Sequence, residues 1–253
     1  TTRYFENILN ARSRGKKIGL ITYNFSPAVL FAFDVVPYCL EGMSAFYAAA
    51  WNRGIYESLD YCCEVGFTET SCSGQRVALG PVLAGLAERP DFIVCSTPGV
   101  CDSNANAFAF ASAYLDVPFC QLNYPPTLTD ERAVEYHRAD FRNMLSFLEE
   151  QTGKKADADK IREVCEEIVK QDEIICEIQD YQRLVPCPVP GIFNLFIYDI
   201  KVLFSGIKDG TEILEAMLEI VKDNAGRGVA GDGVEQLRGF FYYIDHYCIQ
   251  MKY

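Results

Sequence analysis

The sequence predicts an α/β fold: a parallel-sheet domain over residues 1–126, followed by a helical domain over residues 127–253. Three observations lead to this fold class. Before Pro126, short runs rich in Val, Ile and Phe alternate with helical patterns, which is typical of βαβ units. After Pro126 only helical patterns follow. Hydrophobic residues make up 49% of the 253 residues, enough for one large or two smaller cores.

The first domain begins with the buried run "KKIGLITY", which predicts a strand, and "SPAVLFAFD", which predicts a short helix with Ser26 as N-cap and Pro27 in its first turn. The remaining elements follow in alternation. They are a strand at "VVPYCLE", helices over Ser44–Val65 and near Gln75–Glu88, a strand at "DFIVCS", a helix from "GVCDSNANAF", and a strand at "VPFCQL". Connections of this length predict an open parallel sheet of Rossmann or flavodoxin-like type.

The second domain is predicted from four amphipathic patterns separated by breaker segments. The breakers are "TGKKAD", "VPCPVPG" and "GIKDG", which carry the Gly and Pro residues that end helices. The predicted helices are Thr129–Gln151, Ala156–Leu184, Gly191–Phe204 and Thr211–Asn224. The later segment "GRGVAGDG" has G-x-G-x-x-G spacing, but it follows a helix and is therefore interpreted as a helix stop.

Composition excludes several classes of protein. A net charge of −12 argues against a nucleic-acid partner, which would need a basic face. No apolar run reaches the roughly 20 residues of a membrane-spanning helix, and the start of the chain has no signal-peptide pattern. The 11 cysteines are odd in number and disfavour a disulfide scaffold, so a reducing, cytoplasmic location is expected. With only two histidines, a His-rich metal site is not expected, and thiolate-based metal binding remains open.

Two cysteines stand where an open parallel sheet places its ligands, in loops that lead into helices. Cys72 lies in "TETSCSGQRVALG", and Cys101 lies 29 residues later in "GVCDSNANAF". That separation allows one helix and one strand to return the chain to the same edge. A thiol at a helix start is favoured as thiolate, and small neighbours such as Gly74 and Ser103 leave room for an inorganic group. The residues alone leave three interpretations open: an inert turn, a reactive thiol or a metal ligand.

The other cysteines are interpreted as packing residues, because free cysteine is commonly buried. Adjacent Cys62 and Cys63 should point to different helix faces. The cysteines predicted to pack in the sheet or in the helical domain are Cys39, Cys95, Cys120, Cys165, Cys176 and Cys187.

The order of motifs resembles the 2-hydroxyacyl-CoA dehydratase and benzoyl-CoA reductase family of anaerobes. The resemblance rests on "KKIGLITYNFSPAVLFAFDVVPYCLEG", "ETSCSGQRVALG", "PDFIVCSTPGVCDSNANAF" and "LDVPFCQLNYPP", with the helical tail agreeing. It spans roughly residues 16–224. No single motif is highly specific, but their order and spacing together are.

The resemblance implies an α/β subunit holding a [4Fe-4S] cluster on three cysteines. Cys72 and Cys101 match two of them, and the third comes in relatives from a C-terminal domain that this chain is expected largely to lack. Cys248 is the only late candidate, and its surroundings do not match the family. Ser26 and Glu41 fall near positions that face the cluster in relatives, and are carried over as catalytic candidates.

The resemblance also implies a mechanism and partners. A separate ATP-dependent iron-sulfur activator protein injects an electron, and a CoA-thioester substrate loses water through a ketyl radical in an oxygen-sensitive reaction. A homologous partner subunit, with no nucleic acid and no membrane, completes the expected assembly. Two alternatives stay open: a benzoyl-CoA-reductase-type subunit for ring reduction, and a non-catalytic electron-transfer or structural subunit.

Overall fold

The computed structural model describes residues 2–50, 54–96, 101–125, 127 and 129–239. The strands are β1 (Ile18–Ile21), β2 (Val36–Cys39), β3 (Phe92–Ser96) and β4 (Phe119–Leu122). The helices are α1 (Thr2–Leu9), α2 (Ala28–Ala32), α3 (Leu40–Ala50), α4 (Gly54–Glu64), α5 (Ser73–Leu83), α6 (Asp102–Leu115), α7 (Glu131–Thr152), α8 (Ala158–Tyr181), α9 (Ile192–Leu203) and α10 (Lys208–Arg227).

The four strands form one parallel sheet in the order β2-β1-β3-β4, which confirms the predicted α/β fold class. The chain moves outward from β1 to β2, then crosses back to place β3 on the other side of β1. The strand order therefore reverses between β1 and β3, and ligands of open parallel sheets bind at such a reversal, beyond the carboxyl ends of the strands. Every residue of β1, β2 and β3 is buried, as expected for strands covered on both faces.

Where the sequence predicts one helix over Ser44–Val65, the structure has two: α3, which begins earlier at Leu40, and α4. Residues 51–53 between them lie outside the described residues. Gly54, a weak helix former, begins α4. α5 starts at Ser73, earlier than predicted, and ends at Leu83, shortly before Gly85 adopts a φ of +71°.

α4 and α5 approach each other closely at Gly80. A Cβ added there would lie 2.5 Å from the carbonyl oxygen of Ser58 on α4, closer than carbon and oxygen can pack. Only glycine fits this contact without a shift of one helix. The contact fixes α5, and thus the loop before it, against α4.

The chain divides into two compact units, Thr1–Ala158 and Asp159–Tyr253. α7 belongs to the first unit because it packs on the sheet: the Asn123 amide, just after β4, donates to Asp140 Oδ2 at 2.6 Å, and the ring of Phe147 lies 5.8 Å from that of Phe92 in β3. The predicted domain boundary between residues 126 and 127 remains a prediction.

The second unit is helical within its described residues. The buried side chain of Gln171 on α8 donates to the carbonyl of Ile207 at 2.9 Å and accepts from the Gly206 amide at 3.1 Å, fixing the turn between α9 and α10. Gly228 ends α10 in the left-handed conformation, as expected for a helix stop at "GRGVAGDG". Two packing predictions are wrong: Cys165 and Cys176 are exposed, because they face outward from α8.

None of the helices among the described residues combines the length and the apolar character that crossing a membrane would require.

Candidate functional site

Cys72 and Cys101 each occupy the N-cap position of a helix, Cys72 of α5 and Cys101 of α6. Cys72 is exposed and Cys101 is partly exposed. Neither side chain forms a capping hydrogen bond among the described residues, so the sulfurs are not engaged by their own helices. Helix starts carry free N–H groups and partial positive charge, which favour a thiolate or another anion there.

A chain of hydrogen bonds joins the starts of these two helices. The Cys72 amide donates to Ser103 Oγ at 3.3 Å, and that hydroxyl donates to Gln75 Oε1 at 2.7 Å. Gln75 Nε2 in turn donates to Asn104 Oδ1. Ser103 and Asn104 stand two and three residues after Cys101 in the first turn of α6, so the structure brings the two cysteine-bearing helix starts together.

Arg76 on α5 holds the loop that carries Cys72 through hydrogen bonds of its guanidinium group. Its guanidinium donates to the carbonyl oxygens of Glu69 and Leu59, each at 2.8 Å, and to the sulfur of Cys63 at 3.0 Å. The side chain is only 8% exposed, so these contacts form in a protected environment. They tie the loop to the end of α4. Cys62 is buried and Cys63 exposed, which confirms that they face different ways.

Glu41 lies in the first turn of α3, two residues after β2, at the carboxyl edge of the sheet. Its Oε2 accepts the Tyr23 amide at 3.0 Å, which links the loops after β1 and β2. Burial raises the pKa of Glu41 to about 7, against the weaker opposing effect of hydrogen bonding that includes the Tyr23 amide and the side chains of Asn104 and Gln75. The carboxyl is therefore able to hold a proton near neutral pH.

Two buried polar atoms near this carboxyl lack a hydrogen-bond partner within the part of the chain that the structure describes. They are Oε1 of Glu41 and Nδ2 of Asn104. Asn104 is fully buried, and an unsatisfied donor there is costly unless another group completes it. Asn104 is nevertheless near enough to lower the pKa of Glu41, so the two side chains are neighbours at the carboxyl edge of the sheet.

Ser26 is exposed and stands just before α2, after the loop that follows β1. The structure makes Pro27, not Ser26, the N-cap residue, although Ser26 Oγ still accepts the Ala28 amide at 3.4 Å. Because the hydroxyl acts there as an acceptor, its proton remains available for a further hydrogen bond.

At the edge where the strand order reverses, a pair of hydrogen bonds joins the loop after β1 to the last residue of β3. Asn24 Nδ2 donates to the Ser96 carbonyl at 2.9 Å, and Ser96 Oγ donates to the Asn24 carbonyl at 3.0 Å. Residues 97–100, which lead from β3 to Cys101, lie outside the described residues.

Residues 2–50, 54–96, 101–125, 127 and 129–239 contain no group of three or more His, Cys, Asp or Glu side chains arranged to hold a metal ion. Cys72 and Cys101 provide sulfur donors at uncapped helix starts, with Gly74 leaving one side of the Cys72 sulfur open. These donors fit an iron-sulfur cluster as two of its ligands. Cys248, the late candidate for a third, lies outside the described residues.

Sequence reasoning missed the amide pair Gln75 and Asn104 and the anchor Arg76. A signal was present: "CSGQ" and "CDSN" each place an amide side chain three residues after the cysteine. Position three of a helix turns back toward the N-cap, so two such amides can meet if the helix starts do. Only the fold shows that they do.

Comparison with known proteins finds one family and several relatives. The sequence profile of the family described as "2-hydroxyglutaryl-CoA dehydratase, D-component" matches residues 22–250. The chain is similar to the (R)-phenyllactyl-CoA dehydratase alpha subunit of Clostridium sporogenes, with 26% identity over 230 residues, covering 87% of the chain and 55% of that relative.

Two further relatives carry related names. The (R)-2-hydroxyisocaproyl-CoA dehydratase alpha subunit of Clostridioides difficile is 26% identical over 239 residues, covering 88% of the chain and 56% of that relative. The alpha subunit of (R)-2-hydroxyglutaryl-CoA dehydratase of Acidaminococcus fermentans is 24% identical over 143 residues, covering 55% of the chain and 30% of that relative. The chain thus spans about half the length of the first two relatives.

Proposed function

The chain belongs to the family of 2-hydroxyglutaryl-CoA dehydratase D-components, and from that membership we propose that it is a subunit of a 2-hydroxyacyl-CoA dehydratase. This lyase would remove water from a 2-hydroxyacyl-CoA thioester. One structural observation supports the proposal: the helix starts that carry Cys72 and Cys101 lie side by side. Hydrogen bonds of Ser103, Gln75 and Asn104 join them. The names of the relatives favour this chemistry over ring reduction.

In this proposal Cys72 and Cys101 hold a [4Fe-4S] cluster together with a third ligand from outside the described residues. When bound, such a cluster supplies a low-potential electron and an iron that can act as a Lewis acid. The electron would come from a separate ATP-dependent iron-sulfur activator, and the substrate would lose water by a radical route. The word "alpha" in the names of the relatives supports a homologous partner subunit.

Glu41 is the residue that we assign to proton transfer. Burial raises its pKa to about 7, so this carboxyl can both hold and release a proton near neutral pH. Oε1 is buried and forms no hydrogen bond of normal geometry among the described residues. A hydroxyl group that leaves the substrate as hydroxide needs one proton to become water, and Glu41 is suited to provide it.

Ser26 is assigned a binding role. Its hydroxyl lies in the loop that connects β1 to α2. The hydroxyl accepts the Ala28 amide, so its own proton can be donated to another group. The carbonyl oxygen of a thioester accepts such a hydrogen bond. Ser26 would then orient the acyl group without changing its own charge.

A non-catalytic electron-transfer subunit is the second candidate. It is favoured by one observation: the described residues contain no group of three His, Cys, Asp or Glu side chains that could hold a metal ion, whereas a complete cluster site needs three ligands. In that case Cys72 and Cys101 would still bind the cluster, but Ser26 and Glu41 would have no substrate.

The decisive assay uses the protein purified under nitrogen with its partner subunit, an ATP-dependent activator, a reductant and 2-hydroxyacyl-CoA substrates. We expect an unsaturated acyl-CoA product, with far less reductant consumed than product formed. Consumption of two electrons per product would indicate a reductase. Electron uptake without any product, unchanged by Glu41→Gln, would indicate the non-catalytic subunit.

A further inference from the structure

The two cysteine-bearing helices share a local pattern that the family assignment does not explain. Gln75 stands three residues after Cys72, and Asn104 stands three residues after Cys101. In each helix this is the third position of the first turn, whose side chain reaches back toward the N-cap. The two side chains meet there, with Gln75 Nε2 donating to Asn104 Oδ1.

Both amides are removed from solvent, Gln75 being 3% and Asn104 0% exposed. A buried amide costs free energy unless it is hydrogen-bonded, and an apolar pair of similar size would pack here without that cost. What an amide pair adds is direction, because its hydrogen bond holds only over a narrow range of separations and angles. The pair therefore fixes the spacing of two helix starts more tightly than apolar contact would.

The amide pair is connected to the backbone of Cys72 on one side and lies next to the carboxyl of Glu41 on the other. Gln75 Oε1 accepts from Ser103 Oγ, which accepts the Cys72 amide. On its other side, Asn104 Nδ2 is buried and has no partner among the described residues, next to Glu41. The pair therefore borders the carboxyl of Glu41 as well as the start of α5.

We propose that the Gln75–Asn104 amide bridge is the positioning element that holds Cys72 and Cys101 at the spacing needed by one shared metal group. The proposal adds detail to the proposed function. Only the part that identifies the shared metal group as an iron-sulfur cluster rests on that function. Gln75 and Asn104 are positioning residues: they act through the helix starts and contact no iron. Loss of the bridge should leave both cysteines present but set at a less suitable separation.

Two variants remove the bridge while keeping its volume, Gln75→Leu and Asn104→Leu. The double exchange Gln75→Asn with Asn104→Gln keeps an amide pair of the same combined length and should restore the bridge. Gln171→Leu is the matched control, since Gln171 is equally buried at 3% exposure but lies in the second compact unit. It should lower stability without affecting the cysteines.

The first readout needs no iron. A trivalent arsenical that links two neighbouring thiols is added to cluster-free protein under nitrogen, and mass spectrometry of the peptides measures linkage of Cys72 to Cys101. We expect linkage in the wild type and in the double exchange, and linkage that is at least about tenfold slower in each single variant. Tenfold is the lower end of the effect of removing a residue that supports a ligand. Equal linkage in all variants, or an equal loss in Gln171→Leu, would overturn the proposal.

The second readout is the rate at which iron passes from the reconstituted protein to a chelator. The single variants should release iron about 10 to 100 times faster than the wild type, and the double exchange at nearly the wild-type rate. If the wild type takes up no iron, the proposed function fails while the arsenical readout still decides the positioning role. If the single variants do not fold, a folded double exchange that fails to link its thiols would sink the proposal.

Discussion

The side-chain amides of Gln75 and Asn104 hydrogen-bond to each other, and each stands three residues after a cysteine that begins a helix. This one contact relates two loops that are 29 residues apart in sequence. It places Cys72 and Cys101 at the same carboxyl edge of the sheet, where the strand order reverses between β1 and β3. The chemistry that we assign to the chain depends on this placement.

Glu41→Gln should change how stability depends on pH. The folded carboxyl has a pKa of about 7, whereas the ordinary value is 4.5, so the folded state retains a proton that the unfolded state has released. The wild-type free energy of unfolding should therefore fall as pH rises from about 4.5 to about 7, and then level off. Gln cannot ionise, so the variant escapes this loss.

The free energy of unfolding of Glu41→Gln, relative to that of the wild type, should rise by up to about 3 kcal/mol across that pH range, because one pKa unit corresponds to about 1.4 kcal/mol. Urea unfolding at several pH values between about 5 and about 8 measures it. Glu57→Gln, which removes an exposed carboxylate from α4, controls for the change in net charge. A difference between Glu41→Gln and wild type that stays constant with pH would contradict a buried, proton-holding Glu41.

Asn24→Ala should destabilise the edge between β1 and β3. The substitution removes the donor to the Ser96 carbonyl, and Ser96 is fully buried, so the carbonyl loses a partner that water cannot replace. We expect the free energy of unfolding to fall by about 1 to 3 kcal/mol. Asn10→Ala, which removes an exposed side-chain bond to the Glu6 carbonyl, should cost about 0.5 kcal/mol or less. Equal costs in chemical denaturation would show that the edge is not held by this pair.

Gly80→Ala should separate α4 from α5. The new Cβ would meet the Ser58 carbonyl oxygen at 2.5 Å, which forces one helix to move. A loss of about 1 to 3 kcal/mol is expected, the usual cost of overpacking. Gly226→Ala in α10 is the matched control, because its Cβ would enter open space and alanine favours the helix, so stability should rise by up to about 1 kcal/mol. Thermal unfolding of the two variants should thus shift in opposite directions, and shifts of the same sign would rule out the close packing.

The sheet was predictable because its signal is local. The runs that form β1, β2 and β3 are short, apolar and separated by helical patterns, and each became a buried strand of one parallel sheet. Helix boundaries were less predictable, since they depend on tertiary contacts such as that of Gly80 with Ser58. The outward orientation of Cys165 was missed because an isolated pattern does not show which face of α8 is covered.

The site was predictable only in part. Small residues and helix starts marked Cys72 and Cys101, and their roles as cluster ligands remain predictions, as do those of Ser26 and Glu41. The amide pair and the raised pKa of Glu41 arise between residues far apart in sequence, brought together by the parallel sheet. Periodicity and spacing carry no information on such contacts until the fold is known.

The central claim is that Cys72 and Cys101 hold one iron-sulfur cluster. Iron and acid-labile sulfide are measured per chain in intact protein prepared under nitrogen, as wild type, Cys72→Ala, Cys101→Ala and, as an exposed-cysteine control, Cys165→Ala. The account predicts iron and sulfide in equal amounts in the wild type and in Cys165→Ala, and their loss from the other two variants. A wild-type protein without iron, or variants at Cys72 and Cys101 that keep the wild-type content, would contradict it.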